Sequence, residues 1–188
     1  TPLHALKLKG RYPLKFLVVP EDPITGSAEV GDALVQGLFV LRGETQASEG
    51  YDFTHVGHST DFIAWLQGFG WLRDLAAGGD RVDVAPVAEM LLQSWIARHG
   101  DKVSEPAWQP GICGRRLLNW GVYAPLILSS SDIVYRSAVL NAFARTARHL
   151  DRTADRATQG LERIAAWGGV VSAGLLIAGG NPRLAFGE

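Results

Sequence analysis

From Ser59 to the end of the chain, apolar side chains return every three or four positions, in runs separated by Gly, Pro, Asp and Ser. This is the burial pattern of α-helices with one face inward, and it predicts helices near 59–77, 81–99, 110–128, 131–150 and 153–178. In the first, Ser59 precedes Phe62, Leu66, Phe69 and Leu72 on one face, and Gly78-Gly79 stops the run. In the second, Asp80 is a candidate cap for an inward face of Val84, Val87, Leu91, Leu92 and Trp95. Pro110 suits the first turn of the third helix, and Pro125 predicts a kink or an early end to it. Ser130 or Ser131 is the candidate cap of the fourth, which turns Leu140, Phe143, Ala147 and Leu150 inward. A break over Asp151 to Asp155 precedes a glycine-rich fifth.

Residues 1–57 lack this period. They hold two short β-like runs, Lys15–Val19 (KFLVV) and Leu38–Gly43 (LFVLRG), with PEDP and ITGS as turn signals between them. The expected organisation is therefore an irregular lead-in over 1–57, with room for a short β-hairpin, and a helical array over 58–188. Helix starts recurring every 21 to 29 residues describe antiparallel helical hairpins. The fold class expected is all-α, with the hairpins curving into a solenoid or into part of an (α/α) toroid, either of which carries a groove at its helix ends.

Composition narrows the function classes. A chain of 188 residues that is 47% hydrophobic and 20% charged has material for a buried core. The formal net charge of −1 is unevenly spread: residues 1–100 hold eight Lys/Arg against twelve Asp/Glu, and residues 101–188 hold ten against seven. Lys102 is the only lysine of that second half, so its cationic groups are guanidinium forks suited to carboxylate, sulfate or phosphate. Near-neutral charge with arginines interleaved among acids argues against a nucleic-acid partner. The single cysteine, Cys113, excludes an internal disulfide and a multi-cysteine metal site. His55 and His58 are spaced for metal ligation, but no acidic or cysteine set accompanies them, and no metal or other cofactor is expected. The glycine pairs at 78–79, 168–169 and 179–180 lack the strand-then-helix setting of nucleotide loops. The uncharged run Ile164 to Gly180 is short and glycine-rich for a membrane span and reads as a buried helix.

Several blocks carry a family resemblance: GFGWLRDLAAGG (68–79), Trp95 in LLQSWIARHG, AWQPGICGRRLLNW (107–120), ARTARHLDRT (144–153) and GLLIAGGNPRLAFGE (174–188). In order and spacing, from about Gly26 onward, the chain resembles the N-terminal helical region of bacterial heparinase II/III-like proteins. The resemblance implies an α/α toroid followed by a β-sandwich, a location in the periplasm or cell envelope, and β-elimination on acidic polysaccharides. It also implies that these residues are the N-terminal part of a longer protein, with GNPRLAFGE opening a further helix and an apolar face left for dimerisation. Elimination across a uronic acid requires neutralising its carboxylate, a base for the C5 proton and an acid for the leaving oxygen. In the resembling lyases an Asn-His pair in the toroid does the neutralising, and a tyrosine and a further histidine later in the chain move protons. That pair falls around Gln159-Gly160, where this chain has neither residue, so no catalytic residue transfers and the enzymatic assignment stays open.

Candidate substrate contacts remain. On a helix through 110–124, Arg115 and Asn119 are four apart, as are Arg116 and Trp120, so two ridges each pair a guanidinium with a second sugar-binding group. Adding Arg136 from the next helix gives Arg115, Arg116, Asn119, Trp120 and Arg136 as the expected contacts to an acidic polysaccharide. The competing reading pairs one arginine with an acid of the preceding hairpin, such as Asp74, and puts the tryptophans in the core. A non-catalytic helical module that binds glycan or protein is the alternative function. Elsewhere, Arg145, Arg148, Arg152 and Arg156 form a stripe flanked by Asp151 and Asp155, which reads as an ion-pair face.

Overall fold

The computed structural model describes residues 15–48, 53 and 57–177. Among them the chain is mostly helical, with one small antiparallel sheet. The helices are α1 Ala28–Val35, α2 Thr60–Gln67, α3 Trp71–Ala77, α4 Arg81–Trp95, α5 Pro110–Val122, α6 Ala124–Ile127, α7 Ile133–Thr153 and α8 Leu161–Leu176. Strands β1 (Leu38–Leu41) and β2 (Glu44–Ala47) lie between α1 and α2.

The lead-in departs from expectation in two ways. KFLVV is not a strand; the hairpin is LFVL paired with ETQA, Leu41 opposite Glu44 and Leu38 opposite Ala47. The turn is Arg42-Gly43, both at positive φ (49° and 85°), as a two-residue hairpin turn that follows the strand twist requires. The second departure is α1, which the ITGS turn signal and Gly31 obscured. Ser27 caps it by accepting from the Val30 N–H, and Gly31 lies so close to Gly78 at the end of α3 that a Cβ on either would overlap the other's backbone.

The predicted first helix is two helices. Ser59 caps α2 through the Phe62 N–H, but the chain breaks at Gly68-Phe69-Gly70, where Phe69 sits at φ 61°. A phenylalanine in the left-handed region is costly. Here its ring is the centre of the aromatic core, 5.2 Å from Trp71, 5.5 Å from Trp95 and 5.1 Å from Trp120. Phe62, Leu66, Phe69 and Leu72 are all buried, as the spacing predicts.

Val84, Leu91, Leu92 and Trp95 of α4 are buried and Val87 is partly so. Asp80 occupies the cap position without a side-chain cap bond, and the last turn widens into a π turn over Ile96–Gly100. Pro110 opens α5, and the helix ends at Val122 before Pro125, the early end that proline predicts. The cap of α7 is Asp132, which accepts from the Val134 and Tyr135 N–H groups, whereas Ser130 accepts from Asp132 N–H. The helix runs through Asp151 to Thr153 and a 3-10 turn follows at Ala154–Arg156. The break falls later than the sequence suggests, where Gly160 (φ 92°) precedes α8.

The glycine-rich α8 is one-sided rather than wholly buried. Ala166, Gly169, Val170 and Ala173 face the core, while Leu161 and Ile164 are 77% and 68% exposed. Its inner face lies directly on α5: a Cβ on Gly114 would overlap the Ala165 carbonyl, one on Gly169 the Gly114 Cα, and one on Gly121 the Leu176 side chain. Small residues let the two backbones approach to a distance that larger side chains forbid. No helix among the described residues is long and apolar enough to cross a membrane.

Candidate functional site

The break between α2 and α3 leaves carbonyls that a continuous helix would have used; side chains take them, two from α5 and one from nearby Trp71. Trp71 Nε1 donates to Leu66 O (3.2 Å), Arg116 to Gln67 O (3.3 Å) and Asn119 Nδ2 to Gly68 O (2.8 Å). GFGWLRD and GRRLLNW are thus two halves of one structure. Asn119 is held against the break, and beside it opens a cleft of about 520 Å³ whose walls come from β1, α2, α3, α5 and α8.

Arg115 and Arg116 part company there. Arg115 lines the cleft and makes a two-pronged ion pair with Glu162 of α8, Nη1 to Oε2 at 2.9 Å and Nη2 to Oε1 at 2.6 Å. These bonds hold the Glu162 carboxyl below the usual carboxylate range. Arg116 is fully buried. It donates to Ala107 O (2.7 Å) and contacts Cys113 Sγ (3.1 Å), and its guanidinium lies 4.4 Å from the Trp95 ring centre, 5.5 Å from Trp108 and 6.0 Å from Trp120. Burial lowers its pKa and raises that of the Cys113 thiol. Instead of a carboxylate, carbonyl dipoles and indole faces surround the charge.

Of the five expected contacts, Arg115 and Asn119 therefore meet in the cleft. Arg116 and Trp120 are corrected to core residues, because both are at 0% exposure and offer a ligand no surface. Arg136 is exposed near the start of α7 and is not part of the cleft wall. The acid that pairs with an arginine of this block is Glu162 of α8, not Asp74. Asp74 instead accepts from the Ser27 N–H (2.9 Å) and ties the lead-in to α3.

The sequence reading missed three cleft residues. Trp65 supplies half-buried aromatic surface beside Gly70, with Phe39 and Phe62 edge-on or tilted at 6.1 and 5.7 Å. Arg42 at the hairpin turn pairs with Asp61 at 2.7 Å. Arg73 lines the cleft and also a second, more open one of about 650 Å³. The available signal was WLRD within a block already singled out; the hairpin arginine had none.

In the second cleft Asp22 accepts from Arg73 Nε (2.8 Å), from Tyr123 OH (2.7 Å) and from Ile24 N–H (3.0 Å). Burial opposes the Asp22 charge, but these hydrogen bonds outweigh it and the carboxyl titrates below its ordinary value. Burial and the bond to Asp22 push the Tyr123 phenol up to about 12.

No protein-family model, curated protein or solved structure matches the chain. His55 lies outside the described residues, and His58 Nδ1 faces Glu44 Oε2 at 3.3 Å with its ring stacked on Phe62. Glu44 also accepts from the Ser59 hydroxyl and N–H, so it serves the α2 cap. Among the described residues no three His, Cys, Asp or Glu side chains converge as a metal site. Arg145 pairs with Asp101 at 3.1 Å, which ties α7 to the segment after α4. Gln159 and Gly160 are exposed just before α8 and are not among the residues that line the cleft.

Proposed function

We propose that this chain is the helical, groove-bearing part of a heparinase II/III-like protein, its helices forming part of an α/α toroid, and that the cleft beside Arg115 holds an acidic polysaccharide for β-elimination. The observation that carries this reading is the meeting of Arg115, Asn119 and Trp65 in one cleft. A guanidinium, an amide and an indole together suit a uronate: charge for the carboxylate, hydrogen bonds for hydroxyls, and apolar surface for the ring. The share of the work assigned to these residues is binding and orientation.

Binding of oligogalacturonate to the chain, measured calorimetrically, tests this. Arg115→Ala is expected to weaken binding by about tenfold or more, the scale of a lost charge-assisted hydrogen bond. Unchanged affinity would remove the assignment. Release of ultraviolet-absorbing unsaturated uronate tests the reaction itself.

A second reading, a glycan-binding module without catalysis, is favoured by Gly160. Its backbone at φ 92°, ψ −141° is a conformation essentially reserved for glycine, so a histidine there requires a different local chain path. Binding without unsaturated product supports this alternative.

A further inference from the structure

Charge in the cleft is balanced pair by pair. Arg42 faces Asp61 at 2.7 Å, Arg115 faces Glu162 at 2.6 Å, and Arg73 faces Asp22 at 2.8 Å. Two of the three carboxylates, Asp61 and Glu162, belong to the cleft wall itself. Glu162 takes one N–H from each terminal nitrogen of Arg115, which leaves three of the five guanidinium N–H groups for another acceptor. Arg115 thus keeps donor capacity for an added carboxylate, while the cleft has no surplus of positive charge.

Resting on the saccharide reading above, we propose that this cleft selects for low charge density: it takes a chain with one carboxylate per sugar and no sulfate, and discriminates against densely sulfated chains. A uronate carboxylate shares Arg115 with Glu162, and the sugar's apolar surface lies against Trp65. A sulfated disaccharide brings several anions within reach of Asp61 and Glu162, where like charges meet with no unpaired guanidinium among Arg42, Arg73 and Arg115 to absorb them. Glu162 and Asp61 are then the specificity-determining residues, acting through repulsion.

The test compares oligogalacturonate with heparin oligosaccharide of equal length at one fixed ionic strength, because screening changes both. Wild type is expected to bind oligogalacturonate more tightly. Glu162→Gln keeps the side-chain shape and removes the charge, and is expected to narrow the gap by at least threefold, with Asp61→Asn acting in the same direction. Circular dichroism confirms that each variant is folded. Tighter binding of heparin by wild type, or a gap unchanged in both variants, overturns the selectivity and leaves the saccharide reading standing. Binding of neither oligosaccharide overturns both.

Discussion

Arg116 and Arg115 occupy adjacent positions on α5 and respond differently to the same substitution. Arg116→Ala deletes a fully buried side chain and strips donors from Ala107 O and Gln67 O, so a loss of roughly 3 kcal/mol or more is expected in chemical denaturation. Arg116→Met restores volume but not the donors and is expected to recover part of that loss. Arg115→Ala removes a partly exposed ion pair and is expected to cost at most about 1 kcal/mol, its effect appearing in ligand binding instead. The two guanidiniums were recognisable as belonging to different ridges, since neighbouring helical positions point about 100° apart. Which ridge faced inward was not recognisable. That depended on the carbonyls freed at Phe69 and on three indoles gathered from α4, α5 and the segment before α5.

At the scale of elements, the contact of α5 with α8 is set by glycines. Gly114→Ala is expected to destabilise by about 1–3 kcal/mol, because the new methyl meets the Ala165 carbonyl. Gly168→Ala serves as the control: its nearest neighbour is Leu118 Cδ1 at 3.8 Å, so the change is expected to be neutral or stabilising by up to about 1 kcal/mol. Thermal melts of the two variants check the contrast, and equal shifts would contradict it. The helical period after Ser59 was legible because one-sided burial writes itself into spacing. The break at 68–70 was not, because Phe62, Leu66, Phe69 and Leu72 keep a helical spacing through it while the backbone turns. In the lead-in, KFLVV has strand-like composition but no partner strand among the described residues: Leu17 N–H donates to Leu176 O at the end of α8.

At the scale of the whole molecule, Asp22 joins the lead-in to α3 through Arg73 and to the end of α5 through Tyr123. The Asp22 carboxyl titrates lower in the folded chain than in the unfolded one. Its contribution is therefore present above the ordinary carboxylate pKa of about 4 and is lost as pH falls through the folded value. Tyr123 shifts the other way, so its contribution is complete below the unfolded value of about 10 and is lost as pH rises towards the folded value of about 12. Wild type is expected to lose melting temperature at both ends. Asp22→Asn should flatten the acid limb and Tyr123→Phe the alkaline one. An acid limb in Asp22→Asn as steep as in wild type would show that the Asp22 bonds to Arg73 and Tyr123 do not set the acid stability.

The sequence by itself determined the helical class of residues 59–177, most of the buried faces, the helix starts at Ser59 and Pro110 and the stop before Pro125, because period, capping and proline sterics act over a single turn. It also marked GFGWLRD and GRRLLNW as special. Only the tertiary structure decided that these blocks complete each other, that Arg115 lines a cleft while Arg116 is buried, and that Trp65, Arg42 and Arg73 line the cleft with Arg115. Those outcomes depend on which distant carbonyl, carboxylate or ring lies within a few ångströms, and residue spacing carries no information about that distance.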